Sequence, residues 1–186
     1  MTFDISKIKA ELIGGGARPS LFNIFATFPE DLNEATKSSA ERKLEFLCQA
    51  ASLPGSTLAS IPVPYMGRNA YVAGNRSFEP WQITVLNDED FLIRQAFEAW
   101  SKAINSHQGN LRSAGVGSNP ESYKGRFVVR QFSKEDDNTP IRKYVMEGVF
   151  PLEVAAIELN WGTENEIESF TVNLQIDWWE LDQSVE

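Results

Sequence analysis

One cysteine and one histidine are all that the 186 residues contain of either type, and each scarcity excludes a class of protein. Cys48 alone cannot form an internal disulfide, so the staple of a small secreted domain is missing and a cytoplasmic origin is expected. It lies in FLCQAA without an activating base and reads as a small buried hydrophobe. His107 has no partner cluster, so it makes neither a zinc site nor a catalytic dyad, and its place at the end of a helical stripe suits a cation at a helix C-terminus. No apolar run approaches the roughly 18 residues that cross a bilayer. The opening residues mix Asp4, Lys7, Lys9 and Glu11, unlike a secretion signal. Basic residues are outnumbered too: 17 Lys and Arg against 26 Asp and Glu leave a net charge of −9, which argues against a surface built to grip phosphates.

The remaining hints of chemistry are weak. Gly14, Gly15 and Gly16 are followed by Pro19 and by no Gly-Lys-Ser/Thr, so they read as a hinge rather than a phosphate cradle. The pairs Asp88/Asp90 and Asp136/Asp137 lack the spacing of a calcium loop and read as helix capping and a solvated turn. Arg126 and Arg130, followed by Arg142 and Lys143, lie near Tyr123 and Phe127. Without the glycine-aromatic signature of an RNA-binding sheet, pairing with acids of a neighbouring strand or subunit is the better reading. No catalytic residue, metal ligand, cofactor or membrane contact is expected.

Strand periodicity is abundant. LFNIFATF puts Phe22, Ile24, Ala26 and Phe28 on one face. EDLNEATKSSAERKL reads as an exposed loop, with room for a helical turn, before a strand near EFLCQAASL. EPWQITVLN sets Trp81, Ile83 and Val85 against Gln82 and Thr84. The one clear helix spans about 88–106, with Asn87 or Asp88 as cap and a core stripe of Ile93, Ala96, Phe97, Trp100 and Ile104. A Gly- and Ser-rich loop at 108–124 precedes strands at GRFVVRQFS, IRKYVMEGVF and, after Pro151, LEVAAIELNW. The last strand, SFTVNLQIDWWE, alternates Phe170, Val172, Leu174, Ile176 and Trp178 with Thr171, Asn173, Gln175, Asp177 and Trp179. The expected fold is α+β, mostly β: one domain over 1–186, a β-sandwich or barrel closed by one flanking helix, with an N-terminal arm at 1–16.

Residues 51–74, ASLPGSTLASIPVPYMGRNAYVAG, have too many prolines and glycines for a helix and too few charges for a solvated linker. Pro62 and Pro64 restrict the segment to an edge strand or an extended loop. Leu58, Ile61, Val63, Tyr65, Met66, Tyr71 and Val72 exceed what a monomer's surface loop displays, so the segment folds back on its own core or is covered by another subunit. Absent chemistry and surplus apolar extended chain point to assembly.

ARPSLFNIFATFP, FLCQAASLPGSTLASIPVPYMGR, VAGNRSFEPWQITVLNDEDFLIRQAFEAWSKAIN and GVFPLEVAAIELNWGTENEIESFTVNLQIDWWE together resemble the tail tube proteins of contractile-tailed bacteriophages, in that family's order and over more than half of the chain. The resemblance implies a virion component assembled in the host cytoplasm: six copies per ring, rings stacked into a hollow tube inside a contractile sheath. Its implied partners are further copies of itself, the sheath protein, baseplate hub and tail terminator proteins, a tape measure protein in the lumen, and double-stranded DNA in transit. Residues 51–74, with Arg68 among the contact candidates, become an inter-subunit arm. Gln82, Thr84, Thr171, Asn173, Gln175 and Asp177 become candidates for the face that lines the bore. A tube subunit of a headless injection or secretion device is the alternative within the fold. From another class, a small-molecule-binding β-barrel would use Trp81, Trp161, Trp178 and Trp179 as pocket walls.

Overall fold

The computed structural model describes residues 5–30, 32–113, 119–135 and 139–182. Asp4, Asp136, Asp137 and the centre of the 108–124 loop lie outside these residues. In chain order the elements are α1 (Ile5–Glu11), β1 (Phe22–Thr27), α2 (Glu34–Leu47), β2 (Cys48–Ala51), β3 (Ser56–Tyr65), β4 (Arg68–Phe78), β5 (Trp81–Leu86), α3 (Leu92–Ile104), β6 (Gly125–Phe132), β7 (Pro140–Val154), β8 (Ser169–Gln175) and β9 (Trp178–Leu181). All strand pairings are antiparallel.

Seven strands form one sheet in the order β1-β6-β7-β8-β5-β2, with β9 beside β7, while β3 and β4 form a separate two-stranded sheet. The long strand β7 belongs to both halves of the larger sheet. Its first part pairs with β6 and β9 and its last part, from Phe150, with β8. Between these parts Gly148 has φ 67, and the Asp177 carboxyl group stands where a side chain would begin. Only glycine has both the backbone freedom and the missing Cβ that this crossing needs.

The inner faces of both halves meet the helices in one core. Ile24, Phe127, Val129 and Met146 come from one half, Trp81, Ile83, Val85, Phe170, Val172, Leu174 and Ile176 from the other, and Ala40, Leu44, Ile93, Ala96, Phe97 and Trp100 from α2 and α3. At its centre the Phe28 ring meets Phe97 and Trp100 edge-on, both at 5.3 Å between centroids. The Trp100 indole, buried but still a donor, gives its N–H to the Tyr123 carbonyl at 2.7 Å.

The mostly-β α+β class, the strand faces at 22–28 and 81–85 and the α3 core stripe agree with the sequence reading. Five elements differ. The segment read as an exposed loop is α2, fourteen residues long. Its apolar side is only Ala40, Leu44 and Leu47 wide, too narrow to stand out among its charges. The expected strand at EFLCQAASL therefore shortens to Cys48–Ala51. Helix α3 starts at Leu92 rather than 88, after Phe91 at φ 53, with no side-chain cap. Asn87 instead donates to Glu168 at 2.9 Å, and Asp88 and Asp90 bind Lys43 of α2, with Lys43 Nζ 2.7 Å from Asp90 Oδ1. Pro151 does not divide two strands but sits inside β7, which ends at Val154, short of the expected LEVAAIELNW. The last strand breaks after Gln175, and the alternation reverses across the break: Trp179 packs toward the core and Trp178 is 43% exposed.

Candidate assembly surfaces

The β3–β4 hairpin turns at Met66 and Gly67, with φ of 45 and 81. Two successive positive φ values match the right-handed strand twist, so a two-residue loop suffices. Tyr65 pairs with Arg68, Val63 with Ala70, Ile61 with Val72 and Ser60 with Ala73. Pro62 and Pro64 are two apart, so the N–H groups they lack belong to the same side of the strand and the ladder survives. Every residue from Thr57 to Ala73 is exposed, including Leu58, Ile61, Val63, Tyr65, Met66, Arg68, Tyr71 and Val72. The reading that lets this segment fold back on its own core is thereby corrected: it stands off the body as a hairpin. Its base is nonetheless fixed. Trp179 donates its indole N–H to Gly55 O at 2.9 Å and Trp81 to Ser52 O at 2.7 Å, while Phe78 meets the Trp179 ring edge-on.

A second surface lies on the outer side of β5, β8 and the end of β7. Gln82 is opposite Asn173 and Thr84 opposite Thr171, while Glu153 pairs with Asn173 from the other side. The side chains form a row across three strands: Gln82 Nε2 donates to Asn173 Oδ1 at 3.1 Å, and Asn173 Nδ2 donates to Glu153 Oε2 at 2.8 Å. Gln175 extends the same face of β8. Asp177 does not. It falls beyond the end of β8, where its carboxylate is held by Lys124 beside Gly148. That carboxylate raises the Lys124 pKa above its ordinary value. Glu153 was missed in the sequence because a bulge between Pro151 and Glu153 shifts the register.

A third surface follows β7. Residues 157–169 form a groove of about 450 Å³ lined by Ile157, Leu159, Trp161 and Ile167 together with Glu158, Glu166 and Glu168. Leu159, Trp161 and Ile167 are 83%, 101% and 72% exposed.

The other candidates are accounted for locally. Arg126 pairs with Glu147 at 2.7 Å and Lys143 with Asp182 at 2.5 Å, as expected for acids on neighbouring strands. The Arg130 guanidinium lies 4.3 Å from the Phe25 ring centroid, Phe127 is in the core and Tyr123 is covered by Arg112. They form no stacking platform. Burial pushes the Cys48 thiol up to about 12, which makes it a poor nucleophile. His107 shares a shallow cleft with Arg94, Glu98 and Ser101. Among the described residues no three His, Cys, Asp or Glu side chains come together as metal ligands, and no helix is long and apolar enough to cross a membrane. The four tryptophans proposed as pocket walls do not converge: Trp81 is in the core, Trp179 under the hairpin, Trp161 in the outer groove, and Trp178 partly exposed.

Residues 17–182 match the family described as phage tail tube protein. The chain is 35% identical over 167 residues to tail tube protein gp19 of Enterobacteria phage T4, covering 90% of this chain and 93% of that one. Among solved structures, a chain of the anti-feeding prophage baseplate superposes with a TM-score of 0.60 at 12% identity, over 89% of this chain and 95% of that one. A chain of the sheath–tube complex of an extracellular contractile injection system superposes with a TM-score of 0.55 at 13% identity, over 97% and 99%.

Proposed function

The chain belongs to the phage tail tube protein family and is a structural, non-enzymatic subunit of a phage tail tube, and from that premise we propose that six copies close into a ring and that rings stack into a hollow tube inside a contractile sheath. The observation that carries the reading is the hairpin. A family of tube subunits has to bury something between copies, and here seventeen successive residues, 57–73, stand exposed with their apolar side chains uncovered. Burial of such surface is the general driving force of subunit association. The hairpin is the arm that reaches a neighbouring copy.

The outer polar row is the wall of the bore. Gln82, Thr84, Thr171, Asn173 and Gln175 are neutral and Glu153 is an acid, so this face offers no cation to a phosphate backbone. A wall of this kind lets DNA slide, because binding to DNA depends on Lys and Arg displacing counterions. Asp177 belongs with Lys124 and the β7 crossing rather than with the wall. The sheath on the outside, the baseplate hub and tail terminator at the ends, and a tape measure protein and then DNA in the lumen are the partners this assembly takes. It is completed in the host cytoplasm and becomes part of the virion tail.

Negative-stain electron microscopy of the purified protein over a concentration series, with sedimentation of the same samples, tests the reading. Hollow tubes or six-membered rings are expected. Monomers at every concentration, including with preformed baseplates added as nuclei, would overturn it.

A further inference from the structure

The hairpin and the 157–169 groove lie at opposite ends of the same strand. Phe78 closes the hairpin just before β5 begins at Trp81. At the other end of β5, Leu86 pairs with Ser169, and Asn87 donates both a backbone and a side-chain bond to Glu168: Asn87 N to Glu168 O at 2.8 Å, and Asn87 Nδ2 to Glu168 Oε1. Six extended residues separate the two ends by roughly 20 Å. The hairpin base is fixed at its own end by Trp81 and Trp179.

Their chemistry is complementary. In a chain of net charge −9, residues 56–78 carry Arg68 and Arg76 and no acid, whereas residues 155–168 carry Glu158, Glu164, Glu166 and Glu168 and no lysine or arginine. Both are apolar beneath the charge. The hairpin tip presents Tyr65, Met66 and Tyr71, and the groove presents Leu159, Trp161 and Ile167. Arginine between aromatic side chains, opposite carboxylates around an exposed tryptophan, is a pairing in which ionic contacts set the register and apolar burial holds it.

Resting on the tube reading above, we propose that the acidic groove at 157–169 is the socket for the β3–β4 hairpin of a second copy in the adjoining ring. A plug at one end and a socket at the other make a head-to-tail contact, which repeats without closing on itself and so sets the direction in which rings stack. Arg68 at the tip faces Glu158 and Glu166 of the neighbour, and Trp161 is the apolar floor that the tip covers.

Cross-linking between two separately tagged chains tests this. Both carry Cys48→Ala; one adds Asn69→Cys beside the hairpin tip and the other Glu164→Cys beside the groove. A short bis-maleimide is applied to the mixed tubes. The expected product joins one tag to the other, and only in the sedimented fraction. Tubes that form normally without this product overturn the socket and leave the tube reading standing. A parent chain that forms no tubes by electron microscopy refutes the tube reading and the socket with it, and the two failures are seen in different lanes. As a second arm, Arg68→Glu should raise the critical concentration at least tenfold, and Glu166→Arg in the same chain should restore most of it. Equal critical concentrations for parent and Arg68→Glu would also overturn the socket.

Discussion

Replacing Ile61 and Val72 together by threonine separates assembly from folding. The two residues are paired across the hairpin ladder, so their side chains stand together on one face, and each is just over half exposed, at 53% and 54%. Full burial of such a side chain is worth roughly 1.5–3 kcal/mol, so about 1 kcal/mol per residue is left to be gained when a neighbouring copy covers it. Threonine keeps the β-branched shape that suits a strand, and the hairpin itself persists. What changes is that two apolar groups become hydroxyls without arranged partners in the contact. The loss is about 2 kcal/mol per added subunit, which converts to a rise of roughly 30-fold in the critical concentration. Sedimentation across a dilution series measures that concentration, and thermal melting followed by circular dichroism measures the fold. The melting temperature of the free subunit should stay within a degree or two, because neither side chain reaches the core. A critical concentration equal to that of the parent would refute the placement of this face in a subunit contact. A lowered melting temperature would show instead that the hairpin packs on its own body.

Gly148→Ala should destabilise the subunit by about 2 kcal/mol: a non-glycine residue at positive φ costs roughly 1–2 kcal/mol, and the displaced Asp177 carboxylate loses part of its exposed pairing with Lys124. For a domain of this size that lowers the melting temperature by roughly 4–8 °C, and adding Asp177→Ala should recover part of the loss. Cys48, with its thiol raised to about 12, should resist alkylation at pH 8.5 in the folded subunit and react quickly in denaturant. The same shift has a sign in stability: the folded state favours the neutral thiol, so its contribution is complete below the ordinary thiol value and is lost as pH rises from about 9 towards 12. A pH series of urea midpoints on parent and Cys48→Ala should show the difference confined to that range. Glu153→Lys, which places a cation on the proposed bore wall, should leave tube yield unchanged and slow DNA ejection in a single-particle assay, more so at low salt.

The strands and α3 were legible because their periods are long and clean: Trp81, Ile83 and Val85 alternate without exception, and Ile93, Ala96, Phe97 and Trp100 fill one helical stripe. Helix α2 was not, for a physical reason. Its buried contact is made by Ala40 and Leu44, while Glu41 and Glu45 are engaged by polar bonds to β1 and the residue after it: Phe28 N–H donates to Glu41 at 2.8 Å and the Asn23 amide to Glu45 at 3.3 Å. A helix docked by carboxylates looks solvated in one dimension. The break in the last strand was hidden for the opposite reason, because Phe170 to Trp178 alternate without interruption. A pattern of period two records faces but not the point where a strand leaves one half of a sheet for the other. That point is visible only through Gly148 and Asp177, which are far apart in sequence and meet in space. The apolar excess at 51–74 is legible as a surplus, whereas the start of its acidic counterpart at 157–169 reads only as the end of a strand at LEVAAIELNW. A socket is made of residues that no periodicity requires.

An exposed apolar hairpin is a hazard in a free subunit, and the way this one is built limits the hazard. A sheet edge invites pairing with any other edge, and an edge carrying proline does so less readily. Pro62 and Pro64 occupy the second half of β3, a bulge interrupts the ladder between Leu58 and Ser60, and Arg68 and Arg76 charge the opposite strand. The larger sheet ends at β1 and at β2, and β2 is only four residues long, irregular in register, and followed by Pro54. Indiscriminate strand addition is thus weak at the hairpin and at β2, and a single hairpin contact of a few kcal/mol is weak as well. A ring changes that balance. In the proposed six-membered ring, once one incoming subunit has docked its neighbours dock at high effective concentration, and six modest contacts act together where one would dissociate. The hairpin is therefore suited to remain soluble at the concentrations of free subunits and to hold firmly only against a complete ring, which makes nucleation slow and elongation fast. Measured tube length distributions should accordingly respond steeply to added nuclei and only weakly to subunit concentration. A distribution set by subunit concentration alone would mean that single contacts suffice, and the proline-marked hairpin would then need another explanation.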